Sequence, residues 1–302
     1  MGMRVATFAN SERMLNASLA TQARLADLQM QQASGSLSTD YGGLGSNTRP
    51  LLDLEATLKT SRAYADAAKG AGGRVEVMYS ALSSVTDLLT DFRAQLVSLM
   101  SSDSTTASRA ALTSAAEGFM AELASLLNTS YEGRYLFGGN STLQVPVDLS
   151  SYAPDAGSAS TSYYQGDDAV ASVKISRDQT VSYGITASES AFEQAFRALG
   201  SIANAGDAPS DELLQSSYDL IVSSLDATIA LQSKLSITAG TLERGEERQA
   251  DYQSMLEGAI SDLRDADVTA IAVRIANYQT QLQASYSAIA KLQSLSLVDY
   301  LR

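Results

Sequence analysis

Apolar residues at alternating spacings of three and four run along the C-terminal part of this chain. The stripe consists of Val268, Ile271, Ile275, Tyr278, Leu282, Ile289 and Leu292. The small Ser285 occupies the position between Leu282 and Ile289. This spacing places every member on one face of an α-helix. A helix over residues 267–297 would be about 45 Å long, and it cannot cover its own stripe. The stripe therefore predicts a partner helix, which is either the N-terminal segment or another copy of the chain.

Similar stripes predict helices over most of the remaining chain. Near the N-terminus, Phe8, Leu15 and Leu19 share one helical face. Between residues 75 and 99 every apolar gap is three or four, which is typical of a helix with a coiled-coil seam. After a polar break, residues 112–126 continue as a second helix, which returns antiparallel if the break is a hairpin.

The composition changes between residues 140 and 190, where prolines, serines, threonines and tyrosines cluster. Two short runs of alternating apolar residues flank a polar turn there, which predicts a β-hairpin. We expect this β-rich insert to pack on its own, outside the helical body. The alternating apolar residues are Val173 and Ile175 in the first run, and Val181, Tyr183 and Ile185 in the second.

Charge and composition narrow the possible functions. The net charge of −13 disfavours nucleic acids and anionic membranes as partners. The chain has no Cys and no His, so disulfides, thiolate metal sites and histidine catalysis are excluded. The first ten residues lack a basic segment followed by a long apolar one, so we expect no cleavable secretory signal. We predict a non-enzymatic protein without a cofactor or metal.

Two acidic motifs could suggest metal chemistry. Asp167 and Asp168 follow a glycine, but no basic cluster that could hold phosphates accompanies them. Asp265 and Asp267 lie two apart, which points them to different sides of a helix. We interpret the first pair as a turn before a strand and the second as a helix cap or a solvated face. The tyrosines of the insert, at positions 152, 163, 164 and 183, are interpreted as packing residues.

Several segments together resemble the bacterial flagellin superfamily. Residues 260–268 (ISDLRDADV) and 281–286 (QLQASY) look like the C-terminal helix of flagellins, and residues 31–35 (QQASG) resemble the turn after their N-terminal helix. Residues 128–139 (NTSYEGRYLFGG) and the ending 295–301 (LSLVDYL) are most similar to the subgroup of hook-associated protein 3, the junction between flagellar hook and filament.

The resemblance implies a mainly α fold, an elongated rod of long coiled-coil-like helices from both chain ends with a small inserted β-rich domain. It implies a secreted structural protein that leaves the cell unfolded through the flagellar type III apparatus. Its role would be an adaptor ring of identical subunits at the hook–filament junction. The implied partners are other copies of itself, the hook-side junction protein, flagellin and a flagellar export chaperone.

The same resemblance suggests a division of the chain and an interface. We expect an N-terminal inner helix (1–45) that pairs with a C-terminal inner helix (267–302), helical halves at 46–139 and 191–266, and the outer insert at 140–190. We expect the stripes of the two inner helices to become buried only on assembly. The predicted assembly residues are Phe8, Leu15, Leu19, Val268, Ile271, Ile275, Tyr278, Leu282, Ile289 and Leu292.

Three other functions remain open from the sequence alone. A filament-forming flagellin shares the same resemblance and differs in copy number. A signalling coiled coil would lack the insert and would carry membrane spans. An extracellular enzyme would need a catalytic site in the insert, for which no convergent group of residues is evident.

Overall fold

A computed structural model describes residues 2–101, 105–150, 152–154, 157–206 and 209–300. For the helical residues 2–8 and 292–300 it describes the backbone only. The described residues are mostly helical, with two small sheets, and this confirms the predicted mainly α fold with an inserted β region. The elements in chain order are α1 (Gly2–Ser34), a 3-10 helix (Tyr41–Asn47), α2 (Thr48–Leu99), α3 (Thr106–Leu127), β1 (Ser130–Tyr131), β2 (Arg134–Tyr135), β3 (Ser172–Lys174), β4 (Thr180–Ser182), α4 (Ser190–Ala203), α5 (Asp211–Arg264) and α6 (Val268–Tyr300).

Local sequence signals account for the ends of several helices. After α1, Gly35 adopts a φ of 67° and its N–H donates to the carbonyl of Gln31, a left-handed C-terminal cap that favours glycine. Thr105 caps α3 together with Ser108, each side chain accepting from the other residue's backbone N–H. Asp211 and Glu212 occupy the first turn of α5, where the positive end of the helix dipole favours acidic side chains.

The residues group into two units. We call residues 1–59 together with 253–302 the terminal unit, and residues 60–252 the middle unit. Each contains its own cluster of buried apolar side chains.

The core of the middle unit joins helices and insert. Its buried helix residues include Leu82, Leu89 and Phe92 of α2 and Leu123 of α3. The rings of Phe92 and Phe119 lie 5.4 Å apart and tilted, which fixes α3 against α2. The predicted hairpin is present, with β3 and β4 antiparallel and Val173 opposite Val181.

The insert does not pack on its own, and that expectation is wrong. Tyr163 is fully buried, its ring lies 4.4 Å from that of Phe196 on α4, and its hydroxyl donates to the Ala187 carbonyl at 3.0 Å. Helix α4 buries ten of its fourteen residues, so it needs apolar cover on more than one side. The insert supplies part of that cover. It is also less β-rich than expected, since only six of its described residues belong to strands of its hairpin.

The acidic motif at Asp167 is structural, as predicted. Its carboxylate accepts from the N–H of Asn140 at 2.8 Å and of Ala169 at 3.0 Å, so it ties two loops of the insert together. Nearby, Asn128 at the end of α3 exchanges two 2.9 Å hydrogen bonds with the backbone of Val147. Both contacts hold the insert in place rather than forming a reactive site.

Helix α5 contains an 18-residue window with a mean hydropathy of 1.2, so by length and composition it could cross a membrane. No continuous apolar run in the sequence approaches the ~18 residues of a membrane span, so none is predicted there. Leu214, Ile221 and Leu225 of this helix are buried in the middle unit. With 28% of that window buried, we interpret α5 as a helix that packs on the core with one face.

Candidate assembly interface

Helices α1 and α6 of the terminal unit lie side by side and antiparallel. At one end, the N–H of Ala266 donates to the Gly35 carbonyl at 2.9 Å, and the N–H of Leu37 donates to the Arg264 carbonyl at 2.8 Å. Further along, the Gln22 side-chain amide donates to the Tyr286 hydroxyl. The two chain ends therefore pair within one copy of the protein.

The predicted stripe of α6 faces α1. Ile271, Ile275 and Leu282 are buried, and Tyr278 and Ile289 are half-buried. The expectation that this stripe lacks a partner within the chain is wrong for these residues. These residues stabilise the pairing of α1 with α6 within one copy. Burial of each of the three large aliphatic side chains contributes about 1.5–3 kcal/mol to that pairing.

The face that α1 turns toward α6 is not the predicted one. The residues of this face recur at spacings of four and three, as in a coiled coil, but Ser18 and Thr21 near its centre are polar. The hydroxyls of Ser18 and Thr21 donate to the carbonyls of Met14 and Ala17, both at 2.9 Å, so their burial leaves no donor unsatisfied. The members of this face are Met14, Ser18, Thr21, Leu25 and Leu28.

Leu15 and Leu19 lie on a different face of α1 and remain 49% and 54% exposed. Met30, about three turns beyond Leu19, is exposed on the same side. We call Leu15, Leu19 and Met30 the Leu19 face. On α6, Val268 is also exposed, while the side chains of Phe8 and Leu292 lie outside the described residues. The predicted interface residues thus divide into an intrachain set and an exposed set.

The segments that join the terminal helices to α2 and α5 form a small packed region. Leu51 and Leu58 of α2 cluster with Leu256 and Ile260 of α5. Beside this cluster lies a polar cleft of about 340 Å³, lined by residues of the 34–47 segment together with Glu55 and Arg264. The Tyr41 hydroxyl donates to the Glu55 carboxylate at 2.9 Å, and this bond raises the pKa of Tyr41.

Both acidic residues before α6 have structural roles, as predicted for a helix cap. Asp267 accepts from the N–H of Ala270 at 2.9 Å and so caps α6. Asp265 accepts from the Ser261 hydroxyl at 2.6 Å and from Arg264 at 3.1 Å. These two bonds lower the pKa of Asp265, the Ser261 bond contributing most.

Charge is distributed unevenly between the two units. The terminal unit carries 9 Lys or Arg against 10 Asp or Glu, whereas the middle unit carries 12 against 24. Almost the whole negative charge of the chain therefore belongs to the middle unit. Copies of the nearly neutral terminal unit can approach one another with little Coulomb repulsion.

Comparison with known proteins identifies the fold and the family. The N-terminal helical region of bacterial flagellins matches residues 5–142, and the C-terminal helical region of bacterial flagellins matches residues 219–301. The chain belongs to the bacterial flagellin family. No curated protein matches this flagellin-family chain by sequence.

Solved structures of hook-associated proteins share the fold. A flagellar hook-associated protein from Vibrio parahaemolyticus is 17% identical, with a TM-score of 0.62 over 75% of this chain and 100% of that one. FlgL from Xanthomonas campestris is 13% identical, with a TM-score of 0.57 over 69% of this chain and 99% of that one. The hook-associated protein 3 of Legionella pneumophila is 13% identical, with a TM-score of 0.55 over 70% and 98%.

The flagellin-family chain is therefore a structural protein of the bacterial flagellum, similar in fold to hook-associated proteins. Its family and fold are those of structural flagellar proteins and not of enzymes. Flagellar proteins of this kind are extracellular.

Proposed function

We propose that the protein is the adaptor ring between the hook-side junction protein and the flagellin filament. In this proposal it is exported by the flagellar type III apparatus, with an export chaperone, and it assembles through its terminal helices. Its partners are other copies of itself, the hook-side junction protein and flagellin. The likeness in fold to hook-associated proteins supports this choice within the family.

The observation that carries the proposal is the Leu19 face. The α1–α6 pair already buries its own seam within one copy, yet Leu15 and Leu19 remain half exposed beside it. Exposed apolar side chains arranged along one helical face are typical of an interaction site. Burying each leucine against a neighbouring copy would contribute about 1.5–3 kcal/mol. The nearly balanced charge of the terminal unit favours the same contact.

Filament flagellin is the second candidate, because the matched flagellin regions cover both ends of the chain. The two candidates differ in copy number. A junction protein forms a short ring, whereas a filament flagellin is the main subunit of the flagellum.

Deletion of the gene tests the proposed junction role. Electron microscopy of the deletion strain shows whether its cells carry hooks and filaments. We expect cells with hooks but without filaments, and filament monomers released into the medium. Filaments that persist on the deletion strain would contradict the proposal. Mass analysis of purified wild-type flagella identifies the protein of which the filaments consist. If that protein is this chain, the chain is a filament flagellin.

A matched pair of variants tests the interface. Leu19→Asp places a charge on the Leu19 face, and we expect it to abolish incorporation into the flagellum while the isolated protein keeps its melting temperature. Ala20→Asp adds the same charge one residue further on, at an exposed position about 100° around the helix. We expect Ala20→Asp to incorporate. Equal incorporation of both variants would show that the Leu19 face is not used.

A further inference from the structure

Helix α2 contains three glycines within four residues, at positions 70, 72 and 73. Apart from proline, glycine is the least favourable residue in an α-helix, because it loses the most backbone freedom. Gly73 has a packing reason, since a Cβ there would lie 3.0 Å from the Tyr131 hydroxyl. A Cβ on Gly70 or Gly72 would meet open space within the described part of the chain, and neither residue has a positive φ. These two glycines therefore weaken α2 where the fold would accept alanine.

Helices α2 and α5 run antiparallel, and one hydrogen bond fixes their register. Glu55 of α2 and Arg264 of α5 line the same cleft. Further along α2, the Ser61 hydroxyl donates to the side-chain oxygen of Gln249 on α5 at 2.8 Å. Residue numbers on α5 therefore fall as those on α2 rise.

Helix α5 carries a glycine at the level of Gly70. Gly70 lies nine residues after Ser61, and Gly240 lies nine residues before Gln249. Each glycine is therefore about 14 Å from the Ser61–Gln249 bond, on the same side of it. Among the described residues, a Cβ on Gly240 would approach only the Arg244 side chain of its own helix, at 3.4 Å. Packing does not require a glycine there, so both long helices are weakened at one level.

On the α2 side, the core at this level consists of small side chains. Ala68 and Ala71 are buried next to Gly70, whereas the buried residues further along α2 include Leu82 and Leu89. A buried alanine removes much less apolar area from water than a buried leucine does. Local opening is least costly where few apolar contacts are lost, so α2 opens more readily here than at Leu82.

The two hairpins contact the helices on either side of this level. Tyr131 of β1 lies against Gly73, beyond Gly70 on α2. Ile175, which follows β3, lies beside Gly245 of α5, where a Cβ would be 2.8 Å from the Ile175 side chain. The Gln249 side-chain amide also donates to the Ile175 carbonyl at 2.9 Å. Both hairpins are therefore placed to restrain the helices where these are weakest.

We propose that this level of the middle unit is a flexible joint, at which α2 and α5 bend together and which the two hairpins restrain. We call it the glycine joint, and its members are Gly70, Gly72 and Gly240. Helices kink where their hydrogen-bond ladder is easiest to disturb, and unneeded glycines on both helices lower that cost together. The joint is a property of the isolated chain. Its use in the assembled flagellum rests on the proposed function.

Amide hydrogen exchange of the purified full-length chain tests the joint. Protection factors over residues 69–73 should be at least tenfold lower than over residues 78–83 of the same helix. Combining Gly70→Ala with Gly72→Ala should raise protection over 69–73 more than tenfold, since each change favours the helix about fivefold. Equal protection of the two α2 segments in the native protein would overturn the proposal.

A second pair of variants tests the restraint by the hairpins. Tyr131→Ala removes the ring that lies against Gly73, and we expect exchange over residues 69–73 to become at least fivefold faster. Tyr131→Phe keeps the ring and should leave that exchange at the native rate. Native exchange in Tyr131→Ala would show that the β1–β2 hairpin does not restrain the joint.

Two other helical glycines provide matched controls for function in cells. Gly118 of α3 and Gly258 of α5 also have open space around a Cβ, so their change to alanine favours the helix by the same factor. We expect the variant that combines Gly70→Ala, Gly72→Ala and Gly240→Ala to incorporate into flagella but to lose filaments at least threefold more often during swimming in viscous medium. Gly118→Ala and Gly258→Ala should keep their filaments. Native filament retention in the joint variant would overturn the use of the joint in the flagellum.

The failure of this proposal can be told from that of the proposed function. If the gene deletion leaves hooks and filaments intact but residues 69–73 exchange faster than residues 78–83, the function is wrong and the joint stands. If the deletion leaves hooks without filaments but the two segments exchange alike, the joint is wrong and the junction function stands.

Discussion

The terminal and middle units are both built from long helices, yet they differ in how much of their apolar surface one copy buries. The middle unit encloses a continuous core that includes Phe92, Tyr163 and Phe196. The terminal unit has one small cluster of leucines and isoleucines and a two-helix seam with serine and threonine on one side. Apolar burial between α1 and α6 is confined to one seam, whereas the middle unit buries side chains of several helices and of the insert. From this difference we expect the middle unit to fold by itself and the terminal unit to gain stability from neighbouring copies.

The strongest test of this comparison places one charge in the core of the middle unit and another in the seam between α1 and α6. Leu89→Asp buries a carboxylate in the core of the middle unit, where Leu89 is fully buried, and we expect a loss of several kcal/mol that unfolds the protein. Ile275→Asp should separate α1 from α6 and leave the main urea transition unchanged. Far-UV circular dichroism measures both. Equal destabilisation by the two variants would show that the terminal pair belongs to a permanent core.

A second prediction asks whether the insert belongs to the middle unit. Tyr163→Ala removes a fully buried ring that contacts Phe196, and we expect a loss of about 3–5 kcal/mol in the free energy of unfolding. Tyr163→Phe removes only the hydrogen bond to Ala187 and should cost about 1 kcal/mol. Urea titration of both variants gives these values. A loss below 1 kcal/mol for Tyr163→Ala would mean that the insert is peripheral after all.

Alkaline pH provides a third, smaller test, because buried tyrosines are concentrated in the middle unit. Burial, with a smaller contribution from the Glu193 charge, raises the pKa of Tyr152 to about 12, and burial likewise raises the pKa of Tyr164 to about 12. Below pH 10 both the folded and unfolded states keep these protons, so the stabilisation is fully present. Between pH 10 and pH 12 the unfolded state loses them first, so the free energy of unfolding falls as pH rises.

The Tyr152→Phe variant removes one of these groups and should make the fall in stability between pH 10 and pH 12 less steep. Tyr79→Phe, at an exposed position, is the matched control and should leave the slope unchanged. An identical slope in Tyr152→Phe and in the native protein would contradict the assigned cause.

The sequence predicted the face of α6 and missed the face of α1 for one physical reason. Ile271, Ile275 and Leu282 are large and apolar, so their spacing alone reveals the seam. On α1 the spacing from Met14 to Leu28 is equally regular, but Ser18 and Thr21 hold the central positions. Their hydroxyls are satisfied by carbonyls of their own helix, so these polar residues can be buried. Apolar periodicity gave more weight to Leu15 and Leu19, which are exposed.

Within the insert, the local sequence pattern predicted the hairpin but not the packing of the insert against α4. The alternation around Val173 and Val181 predicted the hairpin, because strand pairing across a short turn is a local property. The contact of Tyr163 with Phe196 joins residues from separate elements, and no spacing rule relates them. Integration of the insert into the core therefore required the structure. The polar turn at Asp167 was predicted, while its bond to Asn140 was not.

The smallest expected effects come from two helix caps, one in each unit. Thr105 caps α3 of the middle unit, and Asp267 caps α6 of the terminal unit. Replacing either with alanine should cost about 1 kcal/mol of helix stability. Because α3 packs into the core, Thr105→Ala should lower the free energy of the main unfolding transition by that amount.

Asp267→Ala should act differently, although the lost hydrogen bond is of the same kind. If α6 opens before the middle unit unfolds, the missing cap weakens only that local opening equilibrium. Amide hydrogen exchange over residues 268–275 should then become about fivefold faster, since about 1 kcal/mol corresponds to that factor. The main transition should stay within error of the native value. A main transition lowered equally by both variants would mean that the two units unfold together, and the exposed Leu19 face would then need an explanation other than stability gained from a neighbouring copy.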